Sequence, residues 1–204
     1  DVFLDLVIQE KPNAILQFPL GFSAHMITEP LVRRMREAGV ETMILALETI
    51  SEQRSRDMQR PHHLDELRRA VDLLKDHGYR GRDLRVFYLV GLPGQTLDEV
   101  LRAILFLLDL GISPSLTTYA LAPGSQDWER HHRAVPHQTL GDLAPGLWRF
   151  AHAAMPSAAL DRVYAYFHEQ YFPLERIRAS STDDPIIGAM QRLLREGGHR
   201  PEAW

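Results

Sequence analysis

The residue with the clearest chemical potential is an acid that ends an apolar run. Glu48 follows "TMILAL", and its carboxylate can accept hydrogen bonds from a ribose diol or an ammonium group. On spacing alone, an equal alternative is a solvated acid or a partner for a nearby arginine. Arg60 lies twelve residues later beside Pro61, where a guanidinium can hold a ligand carboxylate bidentately. Surface charge, shared with Arg54 and Arg56, is the alternative for Arg60.

A glycine-rich turn is the second feature with chemical potential. The run "FYLVGLPGQT" is an apolar segment that ends in a turn and then opens a helix. It is not a phosphate-binding P-loop, because it lacks the lysine and the glycine spacing of that motif. Gly91 and Gly94 instead predict either a merely tight turn or the close approach of an aromatic ring or backbone.

The histidines and serines give weaker signals. His62–His63 and His131–His132 are adjacent pairs whose side chains diverge, and neither has a partner at helical spacing, so we predict no metal site. Ser23 and Ser125 lack the context of a nucleophile elbow, so no serine-hydrolase triad is predicted.

Alternating strands and helices must position these residues. Apolar runs predict strands within 14–25, 42–49, 84–91 and 115–124, and the second and third have the composition of strands buried on both faces. Residues 2–8 are predicted to be the tail of a helix that ends at Lys11–Pro12, and further helices are predicted from Thr28 to Gly39, from Leu64 to Gly78 and from Thr96 to Gly111. Thr96 and Glu99 form a capping box, and the charged segment 50–63 is predicted as a loop.

This alternation predicts parallel β/α units with right-handed crossovers, about half of an eight-stranded barrel. The ends of the strands then meet at one edge, where ligands bind in such folds. The segments expected there are Ser23–His25, Glu48–Thr49, Gly91–Thr96 and Ala122–Ser125. We divide the chain into a partial barrel at 1–130 and a helical C-terminal extension at 131–204. The aromatic residues of this extension are expected to pack on the barrel, and a lid that covers a substrate is the alternative.

Composition restricts the class of protein. The chain has 204 residues, 45% hydrophobic and 25% charged, with a net charge of −4, which gives no sign of a nucleic-acid footprint. The densest apolar stretch, Val100–Leu110, is too short and too charged to span a membrane. We therefore expect a cytoplasmic protein with neither a nucleic-acid nor a membrane partner. The absence of cysteine excludes disulfides and any thiolate-held metal cluster built from this chain alone.

Taken in order, three segments resemble the radical S-adenosylmethionine (radical SAM) superfamily, most closely its members that follow a cobalamin-binding domain. The segments begin at "FPLGFSAHMITEPLVRRMREAGVETMILALETISEQRSRDMQRPHH", continue with "VFYLVGLPGQTLDEV" and end at "YALAPGSQDWE". The resemblance covers about the first 130 residues. It implies the later strands of a partial (β/α)6 barrel, SAM and a [4Fe–4S] cluster as cofactors, and cobalamin where methylation is supported.

The resemblance also implies roles for individual residues. Glu48 matches the polar residue that bonds the ribose of SAM, and Arg60 matches an arginine that reaches the SAM carboxylate. Phe87 stands where some relatives carry an aspartate that bonds the ribose. The segments that match the adenine surroundings are Val90, Gly91, Leu92, Pro93 and Gly94 after the third strand, and Leu121, Ala122, Pro123 and Gly124 after the fourth.

The family's "CxxxCxxC" loop and its "GGE"-like element have no match in these residues. We therefore expect the chain to be the C-terminal part of a longer enzyme, inactive alone, that cleaves SAM to a 5′-deoxyadenosyl radical. Its expected partners are the N-terminal part of the barrel, a reductant protein and a small-molecule or otherwise unknown substrate. The alternative is a non-catalytic α/β domain that binds a nucleotide or a partner. Another type of (β/α) barrel enzyme would need a strand-end lysine or a second glycine turn, and we find neither.

Overall fold

The computed structural model describes residues 2–10, 14–59, 64–119, 122–134, 157–167 and 172–201. Within them, strands and helices alternate as predicted up to β4. The elements, in chain order, are α1 (Val2–Glu10), β1 (Phe22–Ser23), α2 (Glu29–Glu37), β2 (Met43–Leu47), α3 (Glu52–Asp57), α4 (Leu64–Asp76), β3 (Gly81–Val90), α5 (Leu97–Asp109), β4 (Ile112–Thr118), α6 (Gln126–His131), α7 (Ser157–Phe167), α8 (Leu174–Ala179) and α9 (Pro185–Arg195).

The four strands of the described residues form one parallel sheet in the order β1-β2-β3-β4. This confirms the predicted α/β class with a parallel, half-barrel-like arrangement. The register places Ala46 beside Phe87, and Phe87 beside Ser115, so these three residues share one face of the sheet.

The two faces of the sheet are buried to different extents. Along β2, Met43, Leu45 and Leu47 are buried, whereas Ile44 and Ala46 between them are only partly covered. The expectation of burial on both faces is therefore wrong for this strand. Side chains of alternate residues point to opposite faces, so the helices cover one face and leave the other partly open. Glu48 continues the alternation on the more open face.

The helices that cover the sheet begin and end where the sequence indicates. Thr28 precedes α2, which has a proline in its first turn, and Gly39 follows it with a φ of +81°. The buried residues of α4 include Leu64, Leu67, Val71 and Leu74, which recur at the spacing of one helix face. In α5 the buried face is wider, from Val100 to Leu108.

The structure corrects four predicted elements. Strand β4 begins at Ile112 and ends at Thr118, earlier at both ends than the predicted range 115–124. Strand β1 is confined to Phe22–Ser23, because Pro19 lacks a backbone donor and Gly21 adopts a φ of +77° immediately before it. The charged segment after β2 contains α3, whose first turn is capped by the Ser51 side chain. Strand β3 begins already at Gly81, with a register shift between Gly81 and Arg85.

The C-terminal helices pack against the barrel part. Helix α9 contacts α5, and α7 contacts β4. The Tyr164 hydroxyl lies 2.5 Å from the Thr118 hydroxyl, which attaches α7 to the last strand. Buried residues of α7, α8 and α9, such as Val163, Ile177 and Ile187, belong to the same hydrophobic cluster as the sheet. The domain boundary at residue 130 stays a prediction.

Candidate functional site

Glu48 lies directly after β2 on the more open face of the sheet. Its side chain is half-buried, and it makes no hydrogen bond or ion pair within the described part of the chain. Leu47 pairs with Tyr88, so Glu48 stands one step further along, beside the end of β3. A half-buried carboxylate with all its lone pairs available is able to accept hydrogen bonds from a ligand.

The turn after β3 is held by a side chain that our sequence analysis did not single out. Gln95 is fully buried, and its Oε1 accepts hydrogen bonds from the backbone N–H of Gly91 at 2.7 Å and of Leu92 at 3.3 Å. Its Nε2 donates to the carbonyl of Leu89 at 3.1 Å. The available signal was a glutamine placed directly after a glycine turn, where it can reach back to the turn's donors.

Tyr88 completes the support beneath this turn. The Gln95 Nε2 also donates to the Tyr88 hydroxyl at 3.2 Å, and the tyrosine is fully buried between the sheet and the helices. Burial raises the pKa of Tyr88 far above its ordinary value, and the nearby Glu99 carboxylate raises this pKa further. Tyr88 is therefore a neutral structural hydroxyl at physiological pH.

Arg54 joins α3, which follows β2, to α5 by an ion pair and to the turn after β3 by a hydrogen bond. Arg54 on α3 donates from Nε and Nη2 to the two carboxylate oxygens of Glu99, at 3.3 and 3.0 Å, and from Nη1 to the carbonyl of Pro93 at 2.5 Å. The predicted capping box is therefore only half correct. Thr96 does accept from the Glu99 N–H at 3.1 Å, but the Glu99 carboxylate binds Arg54 instead of the helix terminus.

These bonds determine what the predicted turn residues can offer a ligand. The side chains of Val90 and Leu92 are buried, and the carbonyl of Val90 accepts from the Tyr119 N–H. Pro93 is half-buried and Gly94 is exposed. Gly91 is itself buried, but a side chain added to it would meet no atom of the described residues within 4 Å. This segment can therefore offer van der Waals contact over Gly91, but few free backbone donors.

The exit after β4, the turn at Ala122–Ser125, differs from the turn after β3 in its exposure and hydrogen bonds. Ala122 and Pro123 are exposed, and the turn they form is closed by a hydrogen bond from the Ser125 N–H to the Ala122 carbonyl. Tyr119 at its start donates to Asp127 at 2.7 Å; burial, followed by this acidic partner, raises the Tyr119 pKa well above its ordinary value. Two further predicted residues, Arg60 and Leu121, lie outside the described residues.

The histidines and acidic residues that the structure describes do not form a metal centre. No group of three or more histidine, cysteine, aspartate or glutamate side chains in the described ranges is arranged to hold a metal ion. His132 stacks on Trp128, and His62–His63 lie outside the described residues. The 204-residue sequence has no cysteine, so the residues present do not fit an iron–sulfur cluster.

Comparison with known proteins identifies the family. No curated protein matches the chain. Among the residues that the structure describes, no helix is long and apolar enough to cross a membrane. A family model for the radical SAM superfamily matches residues 3–107, just over half of the 204 residues, from the second residue of α1 to near the end of α5 and including the first three strands. The chain belongs to the radical SAM superfamily.

Proposed function

We propose that this chain binds SAM at the carboxyl end of β2 and β3, as the nucleoside-holding part of a radical SAM enzyme. One observation carries the proposal: Glu48 presents a half-buried carboxylate, without a partner among the described residues, on the more open face of the sheet. An acceptor in this state carries a desolvation cost that a ligand with paired hydroxyl donors relieves. The ribose of SAM is such a ligand.

The neighbouring turn supports the other part of the nucleoside. Adjacent strands lie about 4.8 Å apart, so the ends of β2 and β3 are within the reach of one nucleoside. The donors of Gly91 and Leu92 are already bonded to Gln95, so this wall suits a flat apolar ring rather than a phosphate. We assign it to the adenine, together with backbone atoms of Leu121, Ala122 and Pro123.

We assign the methionyl carboxylate of SAM to Arg60. A guanidinium binds a carboxylate bidentately, which is the chemistry this position requires. When bound, SAM supplies the adenosyl group from which the reactions of the family begin. Because the residues present do not fit an iron–sulfur cluster, the function we assign to them is to bind and orient SAM. Cobalamin, a reductant protein and the identity of the substrate stay predictions of the resemblance.

The first test is calorimetric titration of the chain with SAM. Glu48→Gln keeps the size of the side chain but removes its charge, so we expect the dissociation constant to rise about tenfold, equivalent to roughly 1.4 kcal/mol. Glu41→Gln is the matched control, since Glu41 is an exposed acid just before the same strand, and it should bind like wild type.

A second titration tests which part of the ligand Glu48 contacts. Wild type should bind adenosine more tightly than 2′,3′-dideoxyadenosine, and Glu48→Gln should remove this preference, because the diol then loses its charged acceptor. Equal preference in wild type and variant would contradict the ribose assignment. A wild-type chain that does not bind SAM would favour the alternative, a non-catalytic α/β domain with a different ligand or a protein partner.

A further inference from the structure

Arg54 connects two segments that are remote in sequence. Its partner Glu99 is 45 residues away on α5, and its third contact, the Pro93 carbonyl, belongs to the turn after β3. The guanidinium thereby uses Nε and both terminal nitrogens within a single set of contacts. Such planar, bidentate geometry is specific to arginine and restricts both partners.

This ion pair differs from the other ion pairs of the same helix. The side chains of Arg54 and Glu99 are only 19% and 15% exposed, whereas Arg56 and Glu52 are 58% and 68% exposed. Exposed pairs contribute little, because solvent screens them and the side chains lose entropy when they are fixed. A mostly covered bidentate pair with a third hydrogen bond is a geometric constraint instead.

The same carboxylate reaches the residue that follows Glu48. The Thr49 hydroxyl donates to Glu99 at 3.1 Å and accepts from the Ser51 N–H at 3.0 Å. Thr49 itself is 3% exposed. The backbone on the C-terminal side of Glu48 is therefore fixed to Glu99, and through Arg54 to Pro93.

From these contacts we propose that Arg54 is a positioning residue for the SAM site. With Glu99 it fixes the distance between the Glu48 carboxylate and the Gly91–Gly94 turn, so that ribose and adenine are bound by a preformed pair of walls. The proposal rests on the proposed function, since it concerns the same ligand. Arg54 itself is covered by Glu99 and Pro93 and does not need to touch SAM.

A double-mutant cycle on SAM binding tests the positioning role. We expect Arg54→Gln to weaken SAM binding about tenfold, and Glu48→Gln to cost much less in that background than in wild type, because a misplaced carboxylate has already lost its contact. Arg56→Gln, on the same helix, is the control. It should change neither the SAM affinity of the chain nor the effect of Glu48→Gln on that affinity. Fully additive effects of Arg54→Gln and Glu48→Gln would overturn the positioning role.

Amide hydrogen exchange without any ligand separates this proposal from the proposed function. Arg54→Gln should speed exchange at Ser51 and at Gly91–Gln95 together, while amides in the middle of β3 stay protected. Acceleration in only one of the two segments, or throughout the sheet, would overturn the coupling. If Arg54→Gln does not fold, Glu99→Gln makes the same test, since it removes the charge from the other partner. A wild type that binds no SAM would refute the proposed function, and exchange would still decide whether the two segments are coupled.

Discussion

The turn after β3 and the exit after β4 are built from the same backbone parts but differ in what holds them. Gly91 and Gly124 both adopt left-handed conformations, with φ of +90° and +81°. A short distance later, the hydroxyls of Thr96 and Ser125 cap the following helices. Around Gly91, however, a buried glutamine and an ion pair occupy the polar groups, whereas the residues around Gly124 are exposed.

The comparison shows that backbone conformation alone does not order the polar groups of a turn. Both turns satisfy the local rules for glycine and for helix capping. Among the described residues, only the first has its donors and acceptors fixed by other side chains: Gln95 at the end of the turn itself, and Arg54 from α3. A ligand that binds there meets a wall that is already ordered, so little conformational entropy is lost on binding.

The largest difference in stability between the two turns is expected when one glutamine near each of them, Gln95 or Gln126, is replaced by leucine. Gln95→Leu leaves the buried N–H groups of Gly91 and Leu92 without acceptors, and we expect a loss of about 3 kcal/mol in the free energy of unfolding. Gln126→Leu, at the exposed start of α6, should change this free energy by less than about 0.5 kcal/mol. Urea denaturation measures both. Similar losses for the two variants would mean that the first turn does not depend on Gln95.

Replacement of glycines with left-handed backbone conformations should separate an effect on stability from an effect on SAM binding. Gly91→Ala and Gly39→Ala both place a side chain in the left-handed region, where it meets no described atom within 4 Å, at a cost of about 1–2 kcal/mol each in local conformational energy. Gly39 follows α2, outside the proposed site, so only Gly91→Ala should also weaken SAM binding, because its methyl group occupies the space assigned to the adenine. Calorimetry on the folded variants separates the two effects. Unchanged SAM affinity in Gly91→Ala would remove this turn from the site.

The smallest expected effects come from the helix caps. Thr96→Ala should lower the free energy of unfolding by about 1 kcal/mol, because α5 has a long buried face whose first turn loses an acceptor. Ser125→Ala should have almost no effect on global unfolding, since no residue of α6 is buried. Its effect should appear instead as faster amide exchange at Trp128, because the Ser125 hydroxyl accepts a hydrogen bond from the Trp128 N–H. Equal losses in global stability would show that α6 is part of the cooperative unit.

The sequence was sufficient for features that depend on neighbours in the chain. Apolar runs and glycine stops predicted β2, β3 and the helices α2, α4 and α5, because periodicity and end signals are local. Strand β1 was overestimated, since its apolar residues alone did not reveal the break at Pro19 and Gly21. Helix α3 was missed, because its residues are charged and its stability depends on a cap and on Arg54 contacts.

The site could be predicted only in part, for a physical reason. Glu48 and the glycine turn follow from strand-end positions and from a family resemblance. The partner of Glu99 does not follow from these signals. The local capping rule predicts that Glu99 binds the helix terminus, whereas Arg54, 45 residues away in the sequence, offers two stronger hydrogen bonds. Gln95 was missed because a polar residue in a turn is usually exposed, and only the fold shows that this one is buried.

The order of the strands determines where β/α units can be added to such a domain or lost from it. Among the described residues each strand pairs only with the strands next to it in the chain, and no later strand is inserted between earlier ones. A β/α unit can therefore be gained or lost at an end of the sheet without changing the register of the remaining pairs. The proposed SAM site at the end of β2 and β3 lies between the two inner strands of the described sheet, where such additions would leave it intact. Additions at the edges would thus allow barrels of different size to keep this proposed nucleoside site.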